Sequence, residues 1–131
     1  MYRIKVLIFL ACLSLAAKAQ YNVDKLLRNG QVALHYEDYV LSIQYFNQII
    51  SLKPYFYEPW QYRAVAKYYL DDFTGAESDI SKAIELNPYI HQFFDLRAIT
   101  RIKQDRFEDA IVDYNHAIRL QPHQQNYWSV S

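Results

Sequence analysis

The sequence predicts an all-α chain of three antiparallel helical hairpins, on three observations. Pro54, Pro88 and Pro122 stand 34 residues apart, a period typical of stacked two-helix units. Reading back from each proline, Leu52, Leu86 and Leu120 keep the step, as do Ile49, Ala83 and Ala117, and Phe46, Ile80 and Tyr114. Ser42, Ala76 and Ala110 follow it too, as do Tyr39, Phe73 and Phe107. Within each unit, two apolar-periodic segments of about fourteen residues flank a short turn.

Residues 1–19 stand outside the repeat. Arg3 and Lys5 precede an apolar run from Val6 to Ala17, which is too short to span a bilayer. The run closes on the small-x-small pattern Ala17-Lys18-Ala19, which suits a signal peptidase. Residues 1–19 are therefore expected to be a cleaved signal peptide, with Gln20 opening the mature chain. An uncleaved anchor and lipid attachment at Cys12 are the alternatives. Phe9-Leu10-Ala11-Cys12 resembles a lipobox only weakly.

The hairpins are placed at 23–36 with 39–52, 57–70 with 73–86, and 91–104 with 107–120, in units 23–56, 57–90 and 91–124. Glu37-Asp38, Asp71-Asp72 and Asp105-Arg106 form the turns. Asp72 is expected to cap the helix starting near Phe73, and Asp105 to form a capping box with Glu108. Each proline closes its unit because it lacks an N–H and crowds the preceding turn. Ala76, Ala83, Ala110 and Ala117 let the helices of a hairpin approach closely, so larger residues there would overpack the seam.

With Trp60, Ala64, Phe73, Ala76, Ala83 and Pro88 in one unit, the pattern resembles the tetratricopeptide repeat (TPR). The resemblance runs from about Val23 to Pro122 and implies a solenoid that winds as a right-handed superhelix. Leu26 and Phe94 stand where the family has tryptophan, Arg63 and Arg97 where it has leucine, and Lys67 and Arg101 where it has an aromatic. Trp128 falls one step after Phe94, so residues 125–131 read as the truncated start of a fourth unit, or as a disordered tail. Solenoids end in a polar capping helix. The apolar face of helix 107–120, with Ile111, Tyr114 and Ile118, is therefore expected to be wet and open to end-to-end self-association. The chain reads as the amino-terminal part of a longer array.

Composition narrows the function. Cys12 is the one cysteine, so a mature chain would have no disulfide, thiolate metal site or cysteine nucleophile. Fourteen basic and fourteen acidic residues balance. Removing Arg3, Lys5 and Lys18 leaves a weakly acidic body without basic runs, which argues against nucleic acid as the main ligand. His35, His91, His116 and His123 show no i, i+4 pairing for metal ligation and read as surface or groove residues. The acid pairs at the turns suit helix N-termini for stability alone. Gly30 and Gly75 are the only glycines, so there is neither a phosphate loop nor a nucleophile elbow. No catalysis, metal or cofactor is expected.

The resemblance places the concave surface on the first helices, at Gln31 and His35, then Gln61, Val65 and Tyr69, then Gln92, Asp95 and Ile99. In family members that clamp a peptide's terminal carboxylate, lysine, asparagine and arginine hold set positions. The matching residues here are Leu27, Gln31, Tyr62, Gln92 and Leu96, so that clamp is absent. The expectation is a non-catalytic module that binds a protein or an extended peptide, either periplasmic or extracellular. A structural spacer without a dedicated ligand is the alternative, and glycan binding on exposed tyrosines is a third reading.

Overall fold

The computed structural model describes residues 1–121. Pro122, His123 and the expected fourth-unit start at 125–131 lie outside the described residues. Six helices are described: α1 Tyr2–His35, α2 Tyr39–Leu52, α3 Tyr57–Tyr69, α4 Phe73–Leu86, α5 His91–Ile102 and α6 Phe107–Arg119. They pair as α1/α2, α3/α4 and α5/α6. Neighbouring hairpins join where α2 meets α3 and α4 meets α5, and the first helices also touch, α1 to α3 and α3 to α5.

The hairpin turns share one construction. Glu37, Asp71 and Asp105 each take a left-handed conformation, with φ of 63°, 62° and 59°. The next N–H then reaches back to the preceding helix: Asp38 to the Ala33 carbonyl at 2.8 Å, Asp72 to Lys67 at 2.9 Å, Arg106 to Arg101 at 2.9 Å. These are Schellman closures, which satisfy carbonyls that the helix end leaves without partners. The second turn residue then starts the next helix. Asp38 accepts from the Leu41 N–H and Asp72 from the Gly75 N–H, each cap worth about 1 kcal/mol. Asp72 thus caps α4 as expected.

The expected capping box at Asp105 and Glu108 does not form. Asp105 is used as the left-handed residue, so the cap position falls one place later on Arg106, which makes no side-chain cap. Arg106 bonds Asp109 and Glu77 instead.

The first helix is longer than expected, beginning at Tyr2 and not near residue 23. Leu and Ala are the commonest residues of 1–19, and no proline or glycine precedes Gly30, so nothing breaks the helix at Ala19. Gln20 accepts from Lys53 and donates to Asp24. An eighteen-residue window of α1 has a mean hydropathy of 1.5 and is 6% buried, enough by length and composition to cross a membrane. The expected shortness therefore describes only the unbroken run Val6 to Ala17. A signal sequence meets the same criterion.

Two apolar clusters hold the stack. Val23, Phe46 and Ile49 form one, joined by Leu26, Leu27, Phe56 and Tyr62. Ala64, Ile80, Ala83 and Phe93 form the other, joined by Tyr57, Trp60 and Leu96 among others. The seam alanines Ala76, Ala83, Ala110 and Ala117 are all buried. Trp60 packs against the second cluster and donates its indole N–H to the Pro54 carbonyl at 3.0 Å.

Candidate functional site

The eight groove positions lie on three neighbouring helices. On α1, Gln31 and His35 share a shallow depression of about 410 Å³ with Arg28, Val32 and Tyr36. On α3, Tyr69 is exposed and lies nearly parallel to Tyr39, with centroids 5.2 Å apart and planes at 12°. Tyr68 meets Tyr69 edge-on at 5.6 Å. Burial pushes the Tyr39 phenol upward, and Glu37 and Tyr69 add to the shift. On α5, the Asp95 carboxylate sits 3.4 Å from His91 Nδ1. Gln61, Val65, Gln92 and Ile99 are distributed along α3 and α5 and are not gathered into the depression on α1.

The Tyr114 phenol is also pushed up, first by burial and then by the nearby Asp95 carboxylate and Tyr68. His116 is not a plain surface residue: it stacks on Phe94, with centroids 4.3 Å apart and planes at 22°.

The five clamp-matching residues carry no cation. Leu27 and Tyr62 pack on the first apolar cluster and Leu96 on the second, while Gln31 and Gln92 offer amides.

The departures from the repeat pattern, Arg63, Lys67, Arg97 and Arg101, build something that sequence reasoning missed. Arg63 donates to both oxygens of Asp79 at 2.8 Å, and Lys67 reaches the same carboxylate at 2.9 Å. One step on, Arg97 and Arg101 hold Asp113 at 2.8 and 2.7 Å. Each first arginine also grips the preceding hairpin, Arg63 at Asn47 and Arg97 at Ser81. The buried acid, the two cations and the gripped polar residue all keep the 34-residue step, and that co-occurrence was the available signal.

The second junction is locked further. Glu77 on α4 accepts from Arg101 at 2.7 Å, from Arg106 at 2.6 Å and from Gln104 at 3.2 Å. Burial alone would raise its carboxyl pKa. The hydrogen bonds from Arg101 and Gln104 and the charges of Arg106 and Arg101 outweigh that and hold it below 4.5. At the first junction the corresponding residue is Ile43, and the Phe46–Tyr62 and Tyr39–Tyr69 stacks accompany the Arg63–Asn47 bond there.

The architecture superposes on solved structures. The first TPR of Spaghetti (RPAP3) bound to the HSP90 peptide SRMEEVD matches with a TM-score of 0.75 and 25% identity, over 79% of this chain and 82% of that one. The fold is that of the tetratricopeptide repeat. The Arabidopsis OM64 TPR domain matches at a TM-score of 0.76 and 22% identity, over 79% of this chain and 86% of that one. The TPR2B domain of yeast Sti1 in its complex with pHsp70 gives 0.76 and 20%, over 81% and 85%. No protein-family model matches the chain, and no curated protein does. Within this TPR stack, the seam alanines and Trp60 sit where the repeat pattern places them, and the arginine–aspartate pairs occupy the positions at which the pattern is broken.

Proposed function

We propose that this TPR stack is a non-catalytic module of an exported protein that holds an extended peptide or protein segment along α1, α3 and α5. The observation that carries the reading is the exposed Tyr69, braced flat against Tyr39; Gln31, Gln61 and Gln92 belong to the same series of first helices. Rigid aromatics give contact area at low entropic cost, and amides match the hydrogen bonding of an extended backbone. The similarity to a TPR bound to an HSP90 peptide supports a peptide occupant. Without cations at Leu27, Gln31, Tyr62, Gln92 and Leu96, the occupant is gripped along its length and not by a terminal carboxylate.

Tyr69→Ala and Gln61→Ala are expected to weaken capture of the partner from envelope extract severalfold, with melting temperatures close to wild type. Equal capture by both variants would remove the groove and favour the spacer reading, which the ion-locked joint between the second and third hairpins suits.

Export rests on the basic start, the apolar run and the Ala17-Lys18-Ala19 pattern. The product outside the cytoplasm should then begin at Gln20 or at its cyclised form. A mass retaining Met1, or carrying lipid on Cys12, would overturn cleavage.

A further inference from the structure

The 34-residue step makes α3 and α5 equivalent to α1, and α2 and α4 equivalent to α6. Inside the molecule, α2 seats α3 and α4 seats α5. Among the described residues, two faces of this kind have no such neighbour: the outer face of α1 and that of α6. Val32 is 55% exposed on α1, whereas its equivalents Ala66 and Thr100 are fully buried. A second shallow depression, of about 340 Å³ and distinct from the one at Gln31 and His35, is lined by Asn29, Val32 and Tyr36. On α6, Phe107, Ile111 and Ile118 are exposed, Ile111 by 58%.

We propose that α6 of one copy seats α1 of a second copy, head to tail, by the same geometry that joins hairpins within the chain. Each internal contact, moved along the step, names a contact between copies. Tyr39 stacks on Tyr69, which places Phe107 against His35. Phe46 stacks on Tyr62, which places Tyr114 against Arg28. Asn47 accepts from Arg63, which places Asn115 against Asn29. Glu77 accepts from Gln104, which places Ile111 against the exposed Tyr36. All four pairs are compatible: two rings, a cation over a ring, two amides, and an aliphatic chain on a ring.

Charge selects this occupant further. In the first joint Tyr62 stacks on Phe46, and Leu27 packs on the cluster that Phe46 belongs to. The shifted positions are Asp95, Arg28 of the second copy, and Tyr114. Asp95 is already close enough to Tyr114 to raise its phenol, so the arriving Arg28 meets a carboxylate beside the ring, where the internal joint has leucine and tyrosine. Arg28 is exposed and held by no ion pair among the described residues. The contact is heterologous, so each copy that joins presents a further free α6 or α1 until a ring closes.

The test is sedimentation of the full chain in a mild non-ionic detergent, which occupies the apolar leader, across a range of protein concentrations. Wild type should gain mass with concentration. Arg28→Asp and Asp95→Arg should each lose that gain, because each sets like charges opposite one another. The double variant Arg28→Asp/Asp95→Arg should regain it, which a general loss of folding would not allow. A wild type that stays a single chain at every concentration overturns the proposal, whether α6 is then covered by residues 122–131 or by another protein. So does a single variant that associates like wild type, or a double variant that does not recover.

Discussion

Replacing Asp113 with alanine is expected to lower stability by about 3 kcal/mol, because it leaves the largely buried Arg97 without a charged partner. The Asp113 side chain is 1% exposed and accepts from Arg97 and Arg101, which are themselves 18% and 17% exposed. Arg101 keeps Glu77 after the change. Arg97 keeps only a neutral hydroxyl, Ser81 at 3.3 Å, and the Phe94 ring at 5.6 Å, and its guanidinium has too little exposure to recover full hydration. The cost therefore arises from an orphaned charge and not from a lost attraction. The double replacement Arg97→Met with Asp113→Leu removes both charges and fills the site, and should recover most of the loss. Thermal or urea unfolding near neutral pH measures both. Glu77 must be charged for the comparison: its folded pKa is depressed, so its contribution is complete above 4.5 and is lost as pH falls below that value. If Asp113→Ala unfolds with wild type, the Arg97 pair does not hold the third hairpin.

The step of 34 residues carried most of the fold, because a repeat imposes the same packing problem three times and the answers align. Helix starts at Tyr39, Tyr57, Phe73, His91 and Phe107 match the expected boundaries. Capping at Asp105 was misread because its role depends on its neighbour. An acid followed by an acid supplies both a left-handed turn residue and a cap, whereas Asp105 followed by Arg106 supplies only the first. The start of α1 was misread because a signal-like segment and a helix of the stack have the same helix propensity, and propensity contains no cleavage site.

The groove was legible as a set of positions and less so as a surface. Periodicity identifies which side a residue takes on its own helix, so Gln31 with His35 follows from one helix turn. The Tyr39–Tyr69 stack joins a second helix to the next first helix across 30 residues, and no local pattern encodes it. The ion pairs are a different case. Arg63 with Asp79 and Arg97 with Asp113 repeat in step, and a search for matched charges at equal offsets finds them. Read singly, each arginine was only a departure from an apolar pattern.

Gly30→Ala is expected to destabilise the first hairpin by about 1–2 kcal/mol, although alanine is the better helix former. A methyl group at Gly30 would lie 2.5 Å from Phe46 Cε1 and 2.9 Å from Cζ. Phe46 is fully buried and stacked on Tyr62, so the ring has no empty side to enter. Gly30 has an ordinary helical φ, so the glycine is needed for space and not for its backbone freedom. One step on, the same seam pairs Ala64 with Ile80, both fully buried, a larger residue on one helix facing a smaller one on the other. Phe46→Ile with Gly30→Ala rebuilds that pair in the first hairpin. The double variant should be more stable than Gly30→Ala alone, with a coupling of about 1–2 kcal/mol. Chemical denaturation of wild type, the two singles and the double gives the cycle. If Gly30→Ala is instead stabilising, by the roughly 0.5–1 kcal/mol that helix propensity alone provides, Phe46 does not face Gly30, and α1 and α2 meet in a different register.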